Sequence, residues 1–194
     1  MQLLSLLFVF IGITLFAYHF TTTYLQNREL NKIKDQFQQL LDDPNPDTSD
    51  DVLLEENIWG MLKIDSVDID LPIAIADNFD GLYTSLVAYD TSPVPPNEGN
   101  FAIAGHNGSC PVCTFRYLHD TEEGDTIELT SRDATYIYEI YAVRENVMNT
   151  ETSVLDPVPG ETTLTLITCQ YSSWTNPLRL IVHARLVEII PKGT

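Results

Sequence analysis

Cys169 closes an apolar run, Leu164-Thr-Leu-Ile-Thr-Cys169, and a short loop separates it from Arg179 near the start of the next such run. A thiol in that position is most often a small buried hydrophobe, because unpaired cysteine packs well in cores. Its neighbours argue for chemistry. Leu178–Val187 alternates as a strand does, with Leu180, Val182, Ala184 and Leu186 on one face and Arg179, Ile181, His183 and Arg185 on the other. The Gln170–Pro177 loop is short enough to return the chain beside the strand it left, which would carry the Arg179 guanidinium to the thiol. A guanidinium stays protonated at any working pH, stabilises a thiolate and can donate to an oxyanion. His183 and Arg185 share its face further along, where either could support the site, but they read first as ordinary solvent-facing strand residues.

His106 follows a third apolar run, Phe101-Ala-Ile-Ala-Gly105, where Gly105 permits a tight exit and leaves the imidazole at a sheet rim. Imidazole titrates near neutrality, so it can protonate a leaving amine and then deprotonate an incoming one. Taken singly, Arg179 reads as a surface charge and His106 as a loop histidine. Brought together, the three residues form a nucleophile, an acid–base group and an anion stabiliser.

The other two cysteines form a Cys110-Pro-Val-Cys113 pair. In an oxidising compartment such a pair could close as a disulfide and leave Cys169 free; it could also stay reduced or hold a metal. His106-x3-Cys110-x2-Cys113-x5-His119 has ligand types and spacing that zinc accepts, although zinc on His106 would remove it as a catalyst. An alternative function follows, a membrane-tethered zinc-binding or redox module built on Cys110 and Cys113, with Cys169 merely buried.

From Ile58 onward short Ile-, Val-, Tyr- and Thr-rich runs alternate with Pro, Gly, Asn and Asp. The pattern predicts strands at Trp59–Ile64, Val67–Ile69, Ile73–Ala76, Asn100–Ala104, Thr126–Thr130, Thr135–Val143, Thr163–Thr168 and Leu178–Val187, with one short helix at Asn78–Leu86. About eight short strands with few helices between them make a mainly β domain, a closed barrel or a sandwich.

Residues 3–20 contain no Lys, Arg, Asp or Glu and suit a membrane span of roughly 20 residues. A cleaved signal peptide fits less well, since no basic residue precedes the run and His19-Phe20-Thr21 is a poor cleavage context. Leu25, Leu30, Ile33, Phe37 and Leu40 then recur at helical spacing, which predicts a juxtamembrane amphipathic helix acting as a spacer. The acidic, proline-punctuated stretch 42–51 follows as a linker. The expected organisation is an anchor at 1–23, helix and linker at 24–56, and a β-domain at 57–194. Arg28, Lys32 and Lys34 all follow the apolar run, which by itself would put the domain in the cytoplasm. A net charge of -18 and a pI near 4.2 argue against nucleic acid as a partner.

These residues carry a family resemblance. Thr165-Leu-Ile-Thr-Cys169 resembles the TLxTC signature of sortases, and Arg179 in Asn176-Pro-Leu-Arg-Leu-Ile-Val182 matches their active-site arginine. Ala104-Gly-His106 resembles the segment carrying their histidine, and Phe115-Arg-Tyr-Leu118, Gly124-Asp-Thr-Ile127, Trp59-Gly-Met-Leu-Lys-Ile64 and Leu71-Pro-Ile73 also fit. The resemblance spans roughly residues 57–189. It implies an eight-stranded β-barrel and a two-step acyl transfer without cofactor or metal. Cys169 would attack the Thr–Gly carbonyl of an LPxTG-like sorting signal, and an amine of the cell-wall cross-bridge or a pilin lysine would resolve the thioacyl-enzyme. His106 would act as general acid and then base, with Arg179 and the Gln170 N–H holding the oxyanion. Ala104, Thr168 and Gln170 would contact substrate in a groove lined by 143–161 and the 170–177 loop. A hydrolase releasing its acyl group to water is the nearest variant. Substrates of this kind, surface proteins bearing sorting signals, lie outside the membrane, which would place the domain on the extracellular side against the Lys/Arg pattern. Three features depart from the usual pattern and leave the sortase class open: the Cys110/Cys113 pair, Asn45 where a lid motif would carry an aromatic after Asp43-Pro44, and Gln170-Tyr171 after the cysteine.

Overall fold

The computed structural model describes residues 2–42, 57–78, 85–108, 115–170 and 177–192. Eight strands close into a barrel in the order β1-β2-β3-β4-β7-β8-β6-β5. They are β1 (Ile58–Ile64), β2 (Ile69–Ala76), β3 (Leu86–Tyr89), β4 (Gly99–Ala104), β5 (Thr126–Ser131), β6 (Ala134–Met148), β7 (Thr162–Cys169) and β8 (Leu178–Pro191). β2 pairs with β3, and β4 with β7, in parallel; the other neighbours are antiparallel.

Alternation explains which residues fill the interior. Leu62, Ile64, Phe101, Ile103, Ile127, Leu129, Leu164, Leu166, Leu180 and Val182 are fully or almost fully buried and form one cluster, as inward positions of a small barrel must. Closure depends on β1 meeting β5, and Gly60 allows it, because a Cβ there would collide with the Thr130 carbonyl oxygen.

The expected barrel is present, reached by a different segmentation. The two strands predicted at Val67–Ile69 and Ile73–Ala76 are one, β2, while Val67 sits in a 3-10 turn ended by Asp68 at φ 52. The short helix expected over Asn78–Leu86 is replaced at its last residue by β3, whose Leu86 pairs with Ile73; residues 79–84 lie outside the described set. β6 and β8 run on to Met148 and Pro191, past their expected ends, because each is the other's partner over most of its length.

The apolar N-terminus and the amphipathic stretch form a single helix, α1 (Gln2–Asp42). It is long and apolar enough to cross a membrane. Leu6, Phe8, Phe10, Leu15 and Phe16 stand exposed, and the hydroxyls of Thr14, Thr21 and Thr23 donate back to carbonyls four residues earlier, which suits an apolar surrounding. Further along, the stretch read as a spacer is docked. Ile33, Phe37 and Leu40 pack with Ile58 and Ala74, and Lys34 Nζ lies 2.7 Å from Asp70 Oδ2. Removing the buried Phe37 ring as Phe37→Ala is expected to weaken docking by about 3 kcal/mol. Amide exchange over residues 33–41 should rise while the barrel strands stay protected; unchanged exchange would show the contact carries no stability.

Candidate active site

β7 lies between β4 and β8, and the candidate residues cluster where these three strands meet one rim. Cys169 and Arg179 are direct cross-strand partners at the last position of the β7–β8 ladder. Opposed residues of an antiparallel pair project to the same face with Cβ atoms about 4.5–5.5 Å apart. On β8 the predicted alternation holds, with Leu180, Val182 and Ala184 in the core and Arg179, Ile181 and His183 outside it. Cys169 is a free thiol and only partly buried, at the strand end rather than deep in packing.

On the other side of β7 the parallel register runs to Ala104 opposite Ile167, so two further residues bring His106 level with Cys169. Both neighbours of His106 are tied to β7. The Gly105 N–H donates to the Ile167 carbonyl (3.0 Å), and the Thr168 hydroxyl donates to the Gly105 carbonyl (2.8 Å). Asn107 Nδ2 donates to the Cys169 carbonyl at 2.6 Å and reaches the Gln170 carbonyl at 3.4 Å. Gly105 is required sterically, since a Cβ would stand 2.5 Å from a Phe115 ring carbon and 2.8 Å from a Leu86 methyl.

Two expected substrate contacts have other work here. Thr168 is buried, and its hydroxyl clamps β4 to β7. The Gln170 N–H, expected as an oxyanion donor, donates instead to the Leu178 carbonyl (3.0 Å), while Gln170 Oε1 accepts from the Asn146 N–H (3.1 Å). Backbone pairing at the mouth of the β7–β8 loop therefore takes up the amide. Ala104 does line a cleft of about 410 Å³, with Val87, Pro93, Ala102, Leu155 and Ile167. Its roof is the loop after β6, whose 3-10 turn Thr152–Leu155 packs Val154 against Val147 and Ile181. Cys110, Cys113 and the loop residues 171–176 lie outside the described residues. Among the described residues no group of three or more His, Cys, Asp or Glu could hold a metal ion, and His119 turns to the Arg116 carbonyl and Asp120.

Asn107 and the surroundings of His183 are not legible in the sequence reading. An Asn following a strand-exit histidine was a usable signal, because Asn side chains readily bond backbone groups. His183, expected to face solvent, is partly buried beneath the β6–β7 loop. It bonds the Thr165 hydroxyl (3.1 Å) and stacks on Tyr141 with centroids 5.8 Å apart, while Arg185 lies over the other ring. Burial, and secondarily the Arg144 guanidinium, lower its pKa below the ordinary 6.5. The unfolded chain therefore takes up a proton near 6.5 that the folded chain resists. Stability is full above that pH and is lost as pH falls toward the depressed folded value. His183→Gln should flatten this acid limb in denaturation midpoints measured between pH 7 and 5, and an unchanged slope would remove the assignment.

A family model described as Sortase domain matches residues 62–187. Sortase SrtE1 of Streptomyces coelicolor is 28% identical over 154 residues, covering 70% of this chain and 42% of that protein. Sortase A of Streptococcus agalactiae is 31% identical over 139 residues, covering 66% and 53%. The chain thus spans about half the length of these curated relatives. Among solved structures, sortase A of Listeria monocytogenes superposes with a TM-score of 0.64 at 25% identity, covering 71% of this chain and 92% of that one. Sortase E1 of Streptomyces coelicolor, solved with a tripeptide in its active site, gives 0.62 at 27% identity, covering 72% and 94%.

Proposed function

The chain belongs to the sortase family of cysteine transpeptidases, and from that premise we propose that it cleaves an LPxTG-like sorting signal through a thioacyl-enzyme on Cys169 and passes the acyl group to an amine. The observation that carries the reading is the Cys169–Arg179 pairing across β7 and β8, with His106 held level on the other side. The Cys169 thiolate attacks the carbonyl carbon of the scissile bond, and Arg179 meets the charge that forms on its oxygen. As the C–N bond breaks, His106 gives its proton to the departing amine. An incoming amine then attacks the thioester, His106 takes its proton, and the sulfur leaves as thiolate. The apolar floor of Ala104 and Ile167 under Leu155 suits the aliphatic part of such a signal.

α1 would anchor the chain with the barrel outside, where protein sorting signals and the amines of wall peptide or pilin are found. The test is incubation of the full chain in detergent with a panel of sorting-signal peptides, read by intact mass. An adduct on Cys169 that an added amine converts to a transfer product is expected. Release only to water would make the protein a hydrolase, and no adduct from any peptide would remove the proposal.

A further inference from the structure

The β4–β7 ladder runs one rung further than the two backbones carry it. We infer that Asn107 is a positioning residue whose carboxamide supplies that rung and so fixes the spacing of the His106 and Cys169 main chains. The inference rests on the acyl transfer proposed above. It goes beyond it by giving work to a side chain outside the set of Cys169, His106 and Arg179.

Successive rungs of a parallel ladder advance two residues on each strand. β4 and β7 are in register to Ala104 opposite Ile167, and the last main-chain rung among the described residues is the Gly105 N–H on the Ile167 carbonyl. Continued regularly, the next rung would set the Asn107 N–H on the Cys169 carbonyl. Asn107 Nδ2 meets that carbonyl instead, at 2.6 Å, and reaches the Gln170 carbonyl at 3.4 Å. Both neighbours are acceptors, so only the NH2 end of the carboxamide can face them.

The exchange of one amide for another resolves a conflict. β4 ends at Ala104 so that His106 can stand at the rim, yet Cys169 ends β7 with its carbonyl turned to the side β4 is leaving. A carbonyl left there without a donor is costly. An asparagine side chain carries a peptide-like amide on a short stem, so the main chain can turn away while the amide stays in line. The rest of the segment is pinned on both sides. The Thr168 hydroxyl donates to the Gly105 carbonyl, and the Phe115 N–H donates to the His106 carbonyl at 2.9 Å, with Phe115 itself fully buried. Beyond the thiol, the Gln170 N–H donates to the Leu178 carbonyl and Gln170 Oε1 accepts from the Asn146 N–H. The peptide after Cys169 is thus tied to β8, to β6 and, through Asn107, to the segment that carries the imidazole.

Proton transfer between the imidazole and groups on the carbon that sulfur attacks depends on this spacing. A misplacement of about 1 Å costs on the order of 10²-fold in rate. Binding of a peptide along the cleft floor of Ala104 and Ile167 needs no such precision. Loss of the rung therefore falls on kcat and spares KM.

The test uses the full chain in detergent with a soluble LPxTG-type peptide and an amine acceptor. Asn107→Ala should lower kcat by roughly 10–100-fold and leave KM within about twofold. Asn107→Asp, nearly the same in outline, should lose at least as much, because a carboxylate turns oxygen toward both carbonyls and has no N–H to give. An unchanged kcat in Asn107→Asp overturns the inference, and so does a loss confined to KM, which would make Asn107 a substrate contact. Asn107→Leu repeats the test should Asn107→Ala not fold. A second measurement needs no substrate. In Asn107→Ala, amide exchange at Gly105 should rise about tenfold while Ile103 and Leu166, within the ladder, stay protected. Unchanged exchange at Gly105 would show that the side chain holds nothing there and overturns the inference. Absence of any adduct on the unmodified chain strikes the proposed activity instead, and the exchange measurement still reads the rung.

Discussion

Cys169→Ala abolishes the peptide adduct and lowers transfer of a sorting-signal peptide by at least about 10³-fold, the expected scale when the nucleophile of a covalent mechanism is removed. The fold should be untouched. Cys169 is only partly buried at the end of β7, and its backbone, through the carbonyl bonded to Asn107, is what the neighbouring structure holds. Loss of activity with an unchanged melting midpoint therefore isolates the sulfur. Peptide cleavage persisting in the alanine variant would mean that another group reacts, and the reading would fail. Cys169→Ser separates two contributions: a hydroxyl keeps size and polarity but is far less ionised than a thiol, so it should stay close to the alanine variant.

Arg179→Lys keeps the charge and is expected to lose about 10²-fold in kcat, the scale of losing one donor to a developing oxyanion. The reason is shape. Arg179, the second residue of β8, lies directly across from Cys169, and its Nη1 donates to its neighbour's carbonyl, Leu178 O, at 3.1 Å, which fixes the plane of the guanidinium. A lysine ammonium is a point charge on a flexible stem and cannot both hold that carbonyl and present a second donor in a fixed fork. The Gln170 amide is committed to the Leu178 carbonyl and does not substitute for it. The measurement is kcat and KM with the soluble peptide. A loss confined to KM would make Arg179 a binding residue, and an unchanged kcat would take it out of the chemistry.

The β8 segment shows how far the sequence alone could go. Its strict alternation assigned Leu180, Val182 and Ala184 to the core and Arg179 to the outer face, and the structure has them so. A side chain's face in a strand is a period-two property that needs no partner. The proximity of Arg179 to Cys169 was legible for a similar reason, because a short loop leaves an antiparallel return as the simplest geometry. The apolar, uncharged start of α1 was equally plain.

What the sequence left open are the long-range choices. β3 is four residues long and too short to show a period, so the sequence pattern puts Leu86 at the end of a short helix. His106 reaches Cys169 through the parallel β4–β7 pairing, which joins segments some sixty residues apart with no local signature for which strand sits beside which. The amphipathic half of α1 displayed an apolar stripe without naming its partner, and only the closed barrel supplied one in Ile58 and Ala74. A strand's outer side is wet by default, so the sequence leaves His183 facing solvent; the β6–β7 loop folding over it makes it a partly buried base. Local composition thus determined the elements, their faces and the reactive residue types, whereas the neighbours of each element, and so which strand ends meet at one rim, were decided by the one packing that buries all those faces at once.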